Sequence, residues 1–424
     1  MTRRVHRLAV LVLATLPACH DVMGLPGDAL AGHPRAPSAD TDAPGDDPDA
    51  GPQGDAGSSS GDAGSSSSGG DDDGALPDPG SSSSGEPDAG SSSGGEAPAG
   101  DDGPAPDCLA PAALQPCDGD TLDPLRAIGL GCPGDDDTRI PVWGAELHAP
   151  DAASWAIASQ LGTALDELGQ PRFRPREGER FLAITTGHVA APDPAGAIAM
   201  TPAAMYTDND NPDAAVLPSP VTTAPGSNDG AGGTPFVGCD GSGDCSDTLA
   251  LPWAQGGAAA HDLAWLRFDT LVPEGTFGFG LDLAFFSVEF PEFVGSAYND
   301  VLLLWSSSEA YTGNLCFVDG QPCTVTSLCA GDDGCAALRH CAGAGCDAPD
   351  ADALAGTGFE LDGGGTGWFR ANGPAVPGES LELTVAVFDM GDASYDTLVL
   401  LDDFDWSCDG CIAGVDGDCG LGFD

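Results

Sequence analysis

The sequence predicts a mainly β protein: an antiparallel β-sandwich, jelly-roll-like, with long disulfide-stapled loops and about one helix, preceded by a disordered tether. Three observations carry that expectation. Short runs alternate apolar and polar residues with a period of two, as strands do. The connections between them are rich in turn formers, the chain having 62 Gly and 36 Pro. Fifteen cysteines in 424 residues read as a disulfide framework in an exported chain.

The elements follow in order. "MTRRVHR" is basic, "LAVLVLATL" is apolar, and "LPAC" closes the segment. This nine-residue, largely apolar run falls far short of the roughly 20 residues that span a bilayer, so residues 1–18 read as a signal peptide. "LPAC" resembles a bacterial lipobox, with Leu16 three positions before the cysteine, Ala18 just before it, and Cys19 to carry the lipid. The expectation is an exported protein, held to the bacterial outer membrane or cell surface through that lipid alone. Residues 19–106 come next. From His20 to Pro106 there is no aromatic residue, one arginine and eighteen acidic residues, in degenerate repeats such as "PGSSSSGEPDAGSSSGG". Such a segment buries too little to offset ordering, so it reads as a flexible tether with a reach of roughly 50 Å. "GSSSG" at Gly90–Gly94 fits the nucleophile-elbow pattern but has no strand-to-helix turn around it.

Residues 107–175 form an extension bearing Cys108, Cys117 and Cys132. In "DAASWAIASQLGTALDELG" the residues Trp155, Ile157, Leu161, Leu165 and Leu168 recur at spacings near three and four, which predicts one amphipathic helix. From 176 to 424 the signals are those of a sandwich. "FGFGLDLAF" alternates Phe277, Phe279, Leu281, Leu283 and Phe285, as a half-buried strand does. "LELTVAVF" does the same with Leu381, Leu383, Val385 and Val387. "DTLVLLDDFDW" is apolar on both faces from Leu398 to Leu401, as in a central strand covered twice.

Several blocks are similar to the choice-of-anchor L domain. They are "FLAITTGHV", "GGTPFVGCDGSGDCSDTL" with "QGGAAAHDLAWLRF", "FFSVEFPEFVGSAYNDVLLLW", and "GTGWFRANGPAVPGESLELTVAVFDMGDASYDTLVLLDDFDW". Together they cover roughly residues 181–411. The resemblance implies an exported bacterial protein with a variable anchor, here a lipid, and no activity that can be carried over. The cysteines from Cys329 to Cys346 depart from the usual pattern.

Charge limits the partners. All 13 basic residues are Arg, against 67 acidic ones, for a formal charge of −54. Such a surface repels nucleic acid and anionic lipid and attracts cations. Without Lys there is no P-loop, Schiff base or Ser-Lys dyad.

The candidate sites are therefore acidic. Glu289, Glu292, Asn299 and Asp300 sit in the connection between two apolar runs, and Asp389, Asp392 and Asp396 end another. Hard cations such as Ca²⁺ take six to eight oxygens of this kind, usually from loops. Two acidic loops at one end of a sandwich would supply them; carboxylates capping turns on an acidic surface are the competing reading. Asp402 shares a face with Leu400, Phe404 and Trp406 by alternation, so it needs a partner or a bulge. A weaker Ca²⁺ loop is "DGSGDCSD", with Asp240, Ser242, Asp244 and Asp247. For bridges, the close pairs are Cys239/Cys245, Cys316/Cys323 and Cys408/Cys411, with Cys329, Cys335, Cys341 and Cys346 crowded in one insertion.

No catalytic residues are assigned. Glu289 and Glu292 are the pair a glycosidase-like hydrolase would use, and the seven histidines are scattered without HExxH. A binding or adhesive module, for a glycan or a surface protein, fits the acidic loops and the anchor better. A passive coat protein is the third class. Trp368 and Phe369 are the aromatics offered for sugar stacking or for the core.

Overall fold

Alternation becomes pairing along the whole carboxyl-terminal region. The computed structural model describes residues 116–119, 122–133, 140–206, 215–223, 241–246, 249, 260–318, 321–329, 338–342, 350–391, 393–414, 416 and 419–422. The signal segment, Cys19, the tether, Cys108, Cys239, Cys335, Cys346, Asp240, Asp247 and Asp392 lie outside the described residues.

The strands are β1 (Val142–His148), β2 (Trp155–Ala158), β3 (Gln160–Leu165), β4 (Pro171–Phe173), β5 (Phe181–Thr185), β6 (Ala197–Ile198), β7 (Gly243–Asp244), β8 (Ala260–Leu271) and β9 (Gly278–Ser287). They continue with β10 (Val301–Ser307), β11 (Tyr311–Asn314), β12 (Phe317–Val318), β13 (Gln321–Pro322), β14 (His340–Ala342), β15 (Gly363–Pro374), β16 (Ser380–Met390), β17 (Thr397–Ser407) and β18 (Gly420–Gly422). Two sheets dominate. The first runs β1-β8-β16-β10-β11-β7 and the second β14-β15-β9-β17-β5-β2, with β18 beside β15. All pairs in them are antiparallel except β11 with β7. The long strands β8, β9 and β10, and again β15, β16 and β17, pass alternately between the sheets. Each sheet is thereby assembled from strands distant in sequence.

One apolar core fills the space between the sheets, and two smaller ones cover their outer faces. Leu281, Leu283 and Phe285 of β9 pack inward with Val385 and Val387 of β16 and Val399 and Leu401 of β17. Ala284 and Phe286, with Leu398 and Leu400, face outward onto Phe173, Ile198, Met205 and Phe359. On the other sheet Trp265, Leu303, Trp305 and Phe388 pack beneath Val221 and Leu249. The doubly covered strand expected at Leu398–Leu401 is present. Strand β9 was expected to be half-buried, yet it is buried at every position. Covers from distant segments, which alternation cannot report, bury its second face. Replacing Phe285 with Ala would cost about 3–5 kcal/mol.

The helix expected over residues 151–169 is instead β2 and β3. Trp155, Ile157 and Ala158 pair with Ile184, Leu182 and Phe181 of β5, which supplies hydrogen bonds that an isolated helix would have to make alone. Gly162 then takes φ +74°, where an added Cβ would lie 2.8 Å from the carbonyl oxygen of Ala355. The only α-helix among the described residues is α1, Val325–Leu328, closed by a Thr324–Ser327 capping box. None of the described helices is long and apolar enough to cross a membrane. Strands β1 and β2 are edge strands of the two main sheets, so the expected boundary at 175/176 does not separate the extension from the sandwich.

The disulfides are partly as expected. Cys117 joins Cys132, and Cys245, Cys329, Cys341 and Cys408 are also bridged. Cys411 pairs with Cys419 rather than with Cys408. A turn draws these two together: the Ile412 N–H donates to the Asp416 carboxylate at 2.8 Å, and the Cys419 N–H donates to the Asp416 carbonyl at 3.1 Å. Cys316 and Cys323 face each other across the β12–β13 hairpin as free, buried thiols rather than as the expected bridge. Burial and the neighbouring Cys316 push the Cys323 thiol well above its usual range, which keeps it protonated and unreactive.

Candidate metal centre

Six strand ends converge at one end of the sandwich. Thr397 lies opposite Ser287, and Leu398 opposite Thr185, in the second sheet. Val301 lies opposite Phe388, and Met390 opposite Ala260, in the first. The connections at this end carry Glu289, Asp300 and Asp396. Asp389 ends β16, and Asp262 enters from β8.

Asp262 is aimed there by a β-bulge. The register between β16 and β8 slips between Val387 and Asp389, and Asp262 takes φ +50°. Such a bulge re-aims a side chain at local conformational cost, and bulges are over-represented at sheet edges and barrel rims as well as beside active sites. The result is five carboxyl groups in the interior: Asp262, Glu289, Asp300 and Asp396 are each 1% exposed and Asp389 is 2% exposed.

Their surroundings are uneven. One Glu289 oxygen accepts the Asp300 backbone N–H at 2.7 Å. The Thr397 hydroxyl donates to Asp300, and its own N–H donates to the Thr186 hydroxyl at 2.9 Å. Asp396 lies against Gly187, where an added Cβ would fall 1.8 Å from a carboxylate oxygen. Neither Asp389 oxygen accepts a well-formed hydrogen bond, although the nearby Thr186 hydroxyl favours its charge. Burial, then the neighbouring Glu289 and Asp396 charges, push Asp300 well above the usual carboxylate range. Burial, then Asp300, Asp396 and Asp262, do the same to Asp389. No basic side chain is among the leading causes of either shift.

Four predicted ligands thus come together: Glu289, Asp300, Asp389 and Asp396. Three others do not join them. Glu292 faces solvent, so it forms no acid–base pair with the buried Glu289. Asn299 instead accepts the Thr326 N–H at 3.1 Å, fastening α1 to the loop. Asp402 lies further along β17 and is fully buried, taking N–H donors from Arg176 at 2.5 Å, Glu177 at 3.3 Å and Asp403 at 2.8 Å. Burial pushes its carboxyl up to about 9 against those donors. Of the two alternatives, a partner or a bulge that turns it out, Asp402 takes the partner: the register shifts between Asp402 and Asp405, but the carboxyl stays buried. Nearby, Arg370 and Arg176 hold Asp282 at 2.7 and 2.8 Å. In the weaker loop, Asp244 accepts the Ser246 N–H at 3.0 Å and lies with Gly243 on β7, while Ser242 precedes that strand.

Asp262, Thr186 and Gly187 were not foreseen. The one available signal was an acidic residue inside the apolar run "AAHDLAWLRF". Phe369 is 1% exposed in the central core, which leaves it no free stacking face, and Trp368 is half-buried and packs edge-on against Phe181. What the fold supplies is convergence rather than a closed shell: among the described residues, no group of three or more His, Cys, Asp or Glu side chains is already set to hold a metal. Compared with known protein families, curated proteins and solved structures, the chain has no match.

Proposed function

We propose that this chain is an exported, lipid-anchored cell-surface protein whose sandwich is a non-catalytic binding or adhesion module, stabilised by Ca²⁺ at the carboxylate end. The observation that carries the reading is Asp389, buried among four other carboxyl groups with only the Thr186 hydroxyl close enough to favour its charge. An ionised carboxylate so placed costs several kcal/mol unless it is paired. A hard divalent cation offsets that cost, and Ca²⁺ tolerates the irregular, oxygen-rich geometry that loops provide. Asp262, Glu289, Asp300, Asp389 and Asp396 would hold it, with the Thr186 hydroxyl nearby. Because they lie on strand ends and connections of both sheets, the ion would fasten one end of the sandwich.

The anchor rests on "LPAC" and on the resemblance to choice-of-anchor L domains. Cys19→Ala should release the protein from membranes and abolish labelling by a palmitate analogue; unchanged fractionation would contradict the anchor. For the module, the full chain is applied to glycan and protein arrays with and without chelator. Ligand capture lost on chelation is the expected result. No capture on either array would remove the binding reading and leave a structural coat.

A further inference from the structure

The large aromatics of the sandwich are mostly interior, with one grouped exception. Tyr298, Phe293, Tyr395 and Tyr206 form a continuous strip, with successive ring centroids 5.9, 5.0 and 5.5 Å apart. Tyr298 is 43% exposed and Tyr206 41%. The strip lies on the segments that the carboxylate centre joins: Phe293 and Tyr298 between Glu289 and Asp300, Tyr395 beside Asp396, and Tyr206 beside Met205, whose carbonyl accepts the Asp396 N–H at 3.1 Å.

Its electrostatics are one-sided. Glu292 and Asp362 lie close enough to Tyr206 to raise its hydroxyl, after burial has done so first. Neither carboxylate is in an ion pair among the described residues. Electron-rich ring faces attract cations, and two unpaired carboxylates reinforce that attraction. Successive rings meet edge to face or tilted, with 82°, 51° and 77° between their planes. The two exposed ones, Tyr298 and Tyr206, are therefore those that offer faces to the flat C–H surfaces of a ligand. Acidic glycans are disfavoured by the same charges.

We infer that this strip is the contact face of the binding module, and that its ligand is a saccharide chain carrying free amino groups. Sugar rings stack on the exposed Tyr298 and Tyr206 while ammonium groups meet Glu292 and Asp362. The inference rests on the binding-module reading and gives that module a partner of defined chemistry.

The test titrates the full chain with a glucosamine oligomer, its N-acetylated counterpart and a uronic-acid oligomer, at about 0.15 M salt to suppress diffuse attraction. Tyr298→Ala and Glu292→Gln change exposed side chains, and unchanged thermal midpoints check that both variants fold. The expected result is saturable binding of the glucosamine oligomer, at least tenfold weaker in each variant. The N-acetylated oligomer should bind more weakly and be insensitive to Glu292→Gln. Equal binding of the acetylated and free forms would overturn the charge argument. Binding unaffected by either variant would overturn the location. Array capture of another ligand without amino-sugar binding would sink this inference while sparing the module; silence on every array and oligomer would sink both.

Discussion

Replacing Asp389 with Asn should reverse the usual sign of a buried-site mutation. In chelator the wild-type protein must hold Asp389 in the interior with no well-formed hydrogen bond to either oxygen, so it stays protonated at a cost or carries an uncompensated charge. Asn has nearly the same shape and no charge. Chelated Asp389→Asn should therefore melt no lower than the chelated wild type, and higher above neutral pH. Calcium should stabilise the wild type far more than the variant. At about 100 times its dissociation constant, Ca²⁺ should add roughly 2.7 kcal/mol to the wild type. For a domain of roughly 250–300 residues that is a shift of about 4–5 °C. The variant should lose most of it. Mg²⁺ at matched ionic strength controls for screening of a chain with a formal charge of −54, since screening alone stabilises any acidic protein. Differential scanning calorimetry of both proteins, in chelator, Mg²⁺ and Ca²⁺, reads all of this directly. Equal shifts from the two ions, or a full Ca²⁺ shift retained by Asp389→Asn, would refute the reasoning.

Other outcomes follow from the same geometry. Asp300 and Asp389 have folded-state pKa values above the unfolded one, so their contribution is fully present below the unfolded value and is lost as pH rises through the folded value. Chelated protein should thus gain stability as pH falls from about 8 toward 5. Overall charge pushes the same way, so the decisive reading is a flatter slope in the Asp300→Asn, Asp389→Asn double variant. Gly187→Ala should destabilise by about 1–3 kcal/mol, because its Cβ would overlap the Asp396 carboxylate; an unchanged calorimetric midpoint would place that carboxylate elsewhere. Thiol titration of the described cysteines, mapped by mass spectrometry, should find Cys316 and Cys323 unreactive until the chain unfolds and then both alkylated. Finding them bridged would show that the hairpin closes its own disulfide.

Much of the fold was legible because strand alternation is a local signal. Leu381 to Val387 and Leu398 to Leu401 announce their faces within a few residues, and the structure buries them as read. The misreadings come from distant partners. Trp155 and Ile157 sit two apart, a strand spacing, but helical spacing to Leu161 and Leu165 outweighed it until pairing with β5 decided the outcome. The acidic centre was half legible for the same reason. Glu289, Asp300, Asp389 and Asp396 flank turns beside apolar strands, where a carboxylate is conspicuous. Asp262 reaches them only through a bulge, and Asn299 leaves them for α1, and neither event has a sequence period. Cys411 likewise chooses Cys419 because Asp416 folds the turn between them.

The central claim is that the five buried carboxyl groups bind one calcium ion. Flow dialysis of the full chain against radioactive calcium, in about 0.15 M salt with excess Mg²⁺, measures this without reference to stability or ligand. The account predicts one saturable equivalent per chain, absent in Asp389→Asn and in Asp300→Asn. Only weak, non-saturating uptake that both variants retain would contradict it.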